Sequence, residues 1–430
     1  MFREIILKSC NYSLTLNKNG SREFLKMSFP VHCGNYSELE TDEFIFHFNL
    51  NNEIIRAKKK GDNWSHPHEW LKRTIGNDWV YYSTGGYTGV FDATGEYYLP
   101  NFTYPTNNIL GGNPFLLPQV LDLTDNWYSM LQELQGSVSP ISKSPYDSKS
   151  LQHSLDIFLP HTPQTLEKKA EKLFEIIGGR ISVLPPDARH VDYNLVPLTI
   201  SRGCLYKCRF CKVKNSIPFT ELSRAEITGQ LNQLKLLFDK DLVNYNSIFL
   251  GEHDALGVNY KLILHAVEES SDKLQLHKSN ILGSNTFLFG SVDSLLNTPA
   301  ELFRELDRLP GNTFINIGLE SADQATLDHL GKPIQESNVR DAFQRIQEIN
   351  REFGTVEITS NFIMDENLPS GHYSKILELI RDSQQHKKPK GAVYFSPLTF
   401  GRPSRSKLFA FNRLKILSRL PTYLYTIQRL

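Results

Sequence analysis

The sequence predicts an α/β fold, a parallel sheet built from alternating strands and helices and preceded by a smaller β-rich N-terminal domain. Three observations predict it. Residues 1 to about 150 consist mostly of short alternating or aromatic runs broken by turn residues. A stretch rich in Ser, Pro and Gly, GSVSPISKSPYDSKS at 136–150, then has the composition of a linker. From residue 194 onward, six apolar strand-like runs alternate with helical stretches, the pattern of a parallel sheet with right-handed crossovers. At 430 residues the chain is too long for one compact core. The expected divisions are 1–150, a helical linker at 151–190, and 191–430.

In chain order, Glu43-Phe44-Ile45-Phe46-His47-Phe48 alternates polar and apolar, as a half-buried strand does. Residues 78–105 are aromatic and interrupted by Thr-Gly-Gly and Ala-Thr-Gly, which are hairpin signals. This region is expected to form a packed antiparallel sheet, since aromatics are favoured in strands, with a surface that covers the following domain and helps bind a substrate as the alternative. Pro163 to Ile177 has helical spacing in Leu166, Leu173, Phe174 and Ile177. The six strands are expected at 195–200, 247–250, 279–287, 313–319, 356–364 and 392–395. Helices are expected at 223–238, 259–267, 298–308, 339–349, 373–382 and 408–417.

Composition excludes several classes. The chain has 47 basic and 47 acidic residues, so its net charge makes no case for nucleic acid or a membrane surface. No apolar run is long enough for a signal peptide or a membrane span. With that and only five cysteines, a reducing cytoplasm is the expected location.

Three of the five cysteines stand together, in Gly203-Cys204-Leu205-Tyr206-Lys207-Cys208-Arg209-Phe210-Cys211. Three thiolates on one short loop can hold an iron–sulfur cluster. An ordinary cubane takes four, and Cys10 and Cys33 lie far upstream. One iron would therefore lack a protein ligand and be open to chemistry. A structural zinc ion would need a fourth ligand, for which His190 is the nearest candidate.

The C-x3-C-x-aromatic-C spacing, with Phe210 as the aromatic, resembles the signature of the radical SAM superfamily. The resemblance implies a partial (β/α)6 TIM-like barrel with a [4Fe–4S] cluster on Cys204, Cys208 and Cys211. It implies that the open iron binds the amino and carboxylate groups of S-adenosylmethionine. One electron then breaks the C5′–S bond, and the 5′-deoxyadenosyl radical abstracts hydrogen from a substrate. A reduced donor such as flavodoxin or ferredoxin is implied as partner.

In such barrels the chemistry sits at the C-terminal ends of the strands. Polar or glycine positions recur at the expected ends: the cysteine loop, Gly251-Glu252-His253-Asp254, Ser284-Asn285, Gly318-Leu319-Glu320-Ser321, Ser360-Asn361 and Ser396-Pro397. Gly251-Glu252 resembles the family's glycine–glutamate motif, with Leu250 in place of its usual first glycine. A carboxylate there, Glu252 or Asp254, would accept from the methionine ammonium. Glu320 is expected to accept from ribose hydroxyls, Phe210 to pack near adenine, Asn361 and Ser396 to hold the nucleoside, and Asn285 to reach the methionine carboxylate. No catalytic residue is assigned.

Two other readings remain open on the residues alone: an iron–sulfur protein that transfers electrons or senses redox state, and a zinc-binding interaction module. Cys10 and Cys33 cannot hold a second cluster, which disfavours methylthiotransferases. No D-x-H-x-x-G occurs, so a cobalamin-binding domain is not expected. Residues 399–430 carry seven Lys or Arg and no Asp or Glu, a surface suited to an acidic donor.

Overall fold

The computed structural model describes residues 4–8, 12–24, 32–62, 64, 67–82, 93–94, 97–98, 113–137, 154–211, 217–382, 390–398, 405–425 and 430. Cys10, the Gly85-Gly86 pair and residues 138–150 of the expected linker lie outside them.

The N-terminal part is an antiparallel sheet. Its strands are β1 (Ile5–Lys8), β2 (Tyr12–Asn19), β3 (Asn35–Thr41), β4 (Phe44–Phe48), β5 (Ile54–Lys59), β6 (Trp70–Arg73) and β7 (Trp79–Tyr82). They pair in sequence order, and two short strands follow, β8 (Ala93–Thr94) and β9 (Tyr97–Tyr98). One face is apolar because alternate residues such as Leu14, Leu39, Phe46, Phe48 and Leu71 point the same way. A helix the sequence reading did not anticipate, α1 (Pro118–Gly136), buries Val120, Leu123, Trp127 and Leu131 against that face.

The second layer follows the alternating pattern. Helix α2 (Pro163–Ile177) is capped by the Thr162 hydroxyl and stopped by Gly178 in the left-handed region. A short strand β10 (Leu195–Pro197) leads to a two-residue ladder of β11 (Ser201–Arg202) with β12 (Thr220–Glu221). Then come α3 (Arg224–Phe238), β13 (Ser247–Phe249), α4 (Tyr260–Leu274), β14 (Asn285–Gly290), α5 (Val292–Asn297) and α6 (Ala300–Arg308). They are followed by β15 (Asn312–Glu320), α7 (Gln324–Leu330), α8 (Glu336–Glu352), β16 (Val356–Met364), α9 (His372–Leu377), β17 (Val393–Pro397), α10 (Arg405–Leu417) and β18 (Thr422–Tyr425).

Strands β10, β13, β14, β15, β16, β17 and β18 pair in that order and in parallel, with β8 added beside β18. The fold is thus the expected α/β partial barrel after a β-rich N-terminal part, extended by a seventh strand. The third strand is displaced from its expected position. It begins at Asn285 rather than ending there, because the continuous apolar run Phe287-Leu288-Phe289 forms its middle.

The N-terminal sheet packs against segments that precede β10 and β13, and its β6–β7 turn meets Arg180, with Asp78 pairing that guanidinium. Arg56 and Lys72 pair with Asp192 at 3.2 and 2.9 Å, and the Asn244 side chain exchanges hydrogen bonds with the Asn35 backbone. Leu50 N donates to Asp241. Asp192, Asp241 and Asn244 all precede strands β10 or β13, so these contacts lie at the strands' N-terminal ends. Of residues 78–105, the strands β7 and β9 pair antiparallel within the N-terminal sheet, while 83–92, 95–96 and 99–105 lie outside the described residues.

Candidate functional site

The cysteine loop spans the residues between β11 and β12, whose pairing closes its base. Gly203 opens it with φ +73°, in the left-handed region, and a Cβ there would strike the carbonyl oxygens of Ile217 and Pro218, so only glycine fits. The loop is then fastened to the end of α7. Arg209 N donates to Leu330 O at 3.0 Å and Arg209 Nη2 to Asp328 O at 2.7 Å, which satisfies carbonyls left open at a helix C-terminus.

Two residues beyond that helix, Lys332 enters the site. It is 6% exposed, donates to Gly318 O at 2.7 Å, lies 3.5 Å from Glu320 Oε1 and sits over the Tyr206 ring. Burial pushes the Cys208 thiol up to about 11, and the Lys332 cation opposes that push by favouring the thiolate. Burial also raises the Cys204 thiol.

The three cysteines face one cleft of about 220 Å³ with Phe210, Glu252, Glu320 and Asn361. Four expected site residues from distant parts of the chain thus meet the metal-ligating loop. Gly318 of the expected Gly318–Ser321 end lines the cleft too, as do Val183, Tyr206, Phe289, Gly290, Ser291, Asn316 and Lys332, which no sequence motif marks.

Glu320 ends β15 with φ +64°, after a shift in register against β16 between Gly318 and Glu320. That bulge re-aims the side chain, a strained conformation of the kind held at functional sites. Asn361 Nδ2 donates to Glu320 Oε2 at 3.4 Å, and Ser396 Oγ donates to Asn361 Oδ1 at 2.7 Å. Ser396 is therefore behind Asn361 and orients its amide. Gly251 has φ +108° and turns the chain so that Glu252 follows at the cleft wall.

Of the two acidic candidates after β13, Asp254 is 5% exposed and accepts from Ser291 N and Ser294 Oγ at the start of α5. Glu252 is the carboxylate at the other side, accepting from Ser182 and Val183. Burial raises its pKa, and those donors oppose the rise.

Asn285 does not belong to the site. It opens β14 at the opposite end of the barrel, where its amide donates to Ser247 Oγ at 3.2 Å. The true end of that strand, Gly290-Ser291, lines the cleft instead.

Among the described residues no three His, Cys, Asp or Glu side chains converge closely enough to hold a single metal ion. Around a cubane each thiolate meets a different iron, so three sulfurs facing a common cleft, on a pinned loop beside a buried cation, fit that donor set.

Residues 198–390 match the sequence model of the Radical SAM superfamily. The chain carries a radical SAM domain. Proteins of this superfamily are enzymes that use a [4Fe–4S] cluster and S-adenosylmethionine, and need a reductant and a substrate. Solved structures similar to the chain include a radical SAM methyltransferase from Sphaerobacter thermophilus, at 16% identity and a TM-score of 0.37, over 54% of this chain and 66% of that one. The cobalamin-dependent S-adenosylmethionine radical enzyme OxsB is similar at 16% identity and a TM-score of 0.34, over 53% and 30%. Methylornithine synthase (PylB) is similar at 12% identity and a TM-score of 0.33, over 59% and 70%. The chain thus spans less than a third of OxsB. No curated protein matches it. No helix among the described residues is long and apolar enough to cross a membrane.

Proposed function

We propose that this protein binds a [4Fe–4S] cluster through Cys204, Cys208 and Cys211 and cleaves S-adenosylmethionine reductively, to abstract hydrogen from a substrate in the barrel. The observation that carries this reading is the single cleft shared by the three cysteines, Glu252, Glu320 and Asn361. When bound, the cluster supplies the electron that breaks the sulfonium C5′–S bond and so yields the 5′-deoxyadenosyl radical.

The chain's own residues bind and orient. Glu252 accepts from the methionine ammonium, and Lys332 offers a cation beside the thiolates for a carboxylate. Glu320, held by Asn361 and indirectly by Ser396, accepts from ribose hydroxyls. Phe210 presents an apolar face for adenine. Val183, Tyr206 and Phe289 keep the cleft largely apolar, which excludes water from a reactive radical.

In this reading residues 191–430 form the radical SAM unit, 151–190 connect it, and 1–150 form a supporting domain. A flavodoxin or ferredoxin in the cytoplasm is the proposed donor.

The test is anaerobic reconstitution with iron and sulfide, followed by metal analysis and S-adenosylmethionine binding. About four irons per chain, lost in Cys204→Ala, Cys208→Ala and Cys211→Ala, is the expected result. A single zinc per chain would overturn the reading.

A further inference from the structure

The strap of residues 181–190 lies upstream of the segment that matches the superfamily, yet it touches both the cleft and the barrel interior. Its start meets the mouth. Ser182 N donates to Glu252 Oε2 at 2.6 Å, Ser182 Oγ to Glu252 Oε1 at 3.0 Å, and Val183 N to Oε2 at 3.4 Å. Val183 itself lines the cleft. Its other end is fixed inside the barrel. Asp187 is fully buried and accepts from Thr359 Oγ1 on β16 at 2.8 Å and from Tyr394 OH on β17 at 2.7 Å. His190 stacks on Phe314 of β15, with ring centroids 4.3 Å apart.

Between these ends the strap has little freedom. Pro185 and Pro186 restrict its backbone, Tyr425 OH of β18 donates to Leu184 O, and Ile181 and Leu184 are buried in the barrel core. The strap therefore joins β13, through Glu252, to β16, β17 and β18 across the open side of the sheet.

Resting on the assignment of Glu252 to the methionine ammonium, we propose that Ser182 is a positioning residue for S-adenosylmethionine. Its backbone and hydroxyl donors fix the Glu252 carboxylate in the orientation that receives the ligand. A carboxylate offers about four acceptor sites. Three are filled by the strap, which locks the rotamer and leaves capacity for the ammonium. Partners behind a ligand-binding group tune it in this way, and their loss typically weakens a site markedly. The serine acts through Glu252 and touches no reacting atom.

The experiment measures equilibrium binding of S-adenosylmethionine, and of the uncleavable S-adenosylhomocysteine as a control lacking the sulfonium, to the reconstituted full chain. Ser182→Ala is expected to weaken S-adenosylmethionine binding by about three- to tenfold, less than the loss of a direct hydrogen bond to a charged group, because the backbone donors of Ser182 and Val183 still hold Glu252. Ser182→Thr, which keeps the hydroxyl, is expected to restore it. The thermal midpoint of both variants should match wild type, because the strap retains Asp187, Leu184 and Ile181. Amide exchange gives a second readout: adding S-adenosylmethionine to wild type should slow exchange at Ser182 and Val183. Wild-type affinity in Ser182→Ala would overturn the inference alone. So would tighter binding, or faster exchange on adding ligand, since either means that strap and ligand compete for Glu252. Absence of binding by wild type would overturn the assignment of the site itself, and the inference with it.

Discussion

Gly318 offers a sharp test of how Glu320 works. A Cβ built on Gly318 would lie 2.6 Å from Glu320 Oε1 and 3.7 Å from Lys332 Nζ. Real Cβ atoms do not tolerate the first distance, so Gly318→Ala must push the carboxylate aside. The obstacle is the far end of a side chain, and the backbone of Gly318 is not in the left-handed region. The strand should therefore survive while the carboxylate leaves its place beside Asn361. A hydrogen bond to a charged group contributes about 1.5–3 kcal/mol, so S-adenosylmethionine should bind roughly 10- to 150-fold more weakly. Calorimetry on reconstituted protein would give the affinities of Gly318→Ala, Glu320→Ala and the double variant. If the alanine acts only by displacing the carboxylate, it should cost nothing further once Glu320 is gone. A full additional loss in the double variant would refute this, and would mean that the methyl group itself blocks the cleft. Unchanged affinity in Gly318→Ala would refute a role for Glu320 in binding.

Acidification should destabilise the fold through its buried histidines. Burial lowers the His372 pKa to about 4 from 6.5, and burial also holds His32 and His47 well below that ordinary value. These rings stay neutral in the folded chain while the unfolded chain takes up protons. His372 should thus cost nothing above pH 6.5, and up to about 3 kcal/mol on descending to pH 4, below which its effect levels off. Thermal midpoints across that window should fall for wild type and fall less for His372→Gln; parallel slopes would contradict the assignment. A separate expectation concerns the donor. Arg413 and Arg419 are exposed at or just beyond α10, with Lys415 between them. Changing all three to alanine should slow reduction by a flavodoxin about tenfold at low salt, with the difference fading as salt is added. Unchanged reduction kinetics would remove this face as the docking surface.

Much of the site was legible because it is written in local patterns. The cysteine spacing marks its own loop, Glu252 and Glu320 follow apolar runs that end where strands should end, and Asn361 is a polar break inside the apolar run of β16. Asn285 was misplaced by the same logic. The sequence places a strand at Ser279 to Phe287 with its polar end at Ser284-Asn285, whereas Phe287-Leu288-Phe289-Gly290-Ser291 contains both the middle of the strand and its end. The clue was the uninterrupted apolar run, the mark of a strand buried on both faces. Lys332 had no such signal. It reaches the cleft because Arg209 fastens the cysteine loop to the end of α7, a contact between residues more than a hundred positions apart. The strap is hidden for a similar reason: Leu184-Pro185-Pro186 has no periodicity, and Ser182 meets Glu252 only after the barrel has closed around it. Helix α1 was legible in Val120, Leu123, Trp127 and Leu131 but was obscured by the turn-rich aromatic stretch before it.

The most direct measurement is S-adenosylmethionine cleavage. Protein reconstituted without oxygen, then given dithionite and S-adenosylmethionine, should release 5′-deoxyadenosine, and Cys208→Ala should release none. A stable iron–sulfur spectrum with neither ligand binding nor 5′-deoxyadenosine would contradict the radical reading and leave an electron-transfer or sensing protein in its place.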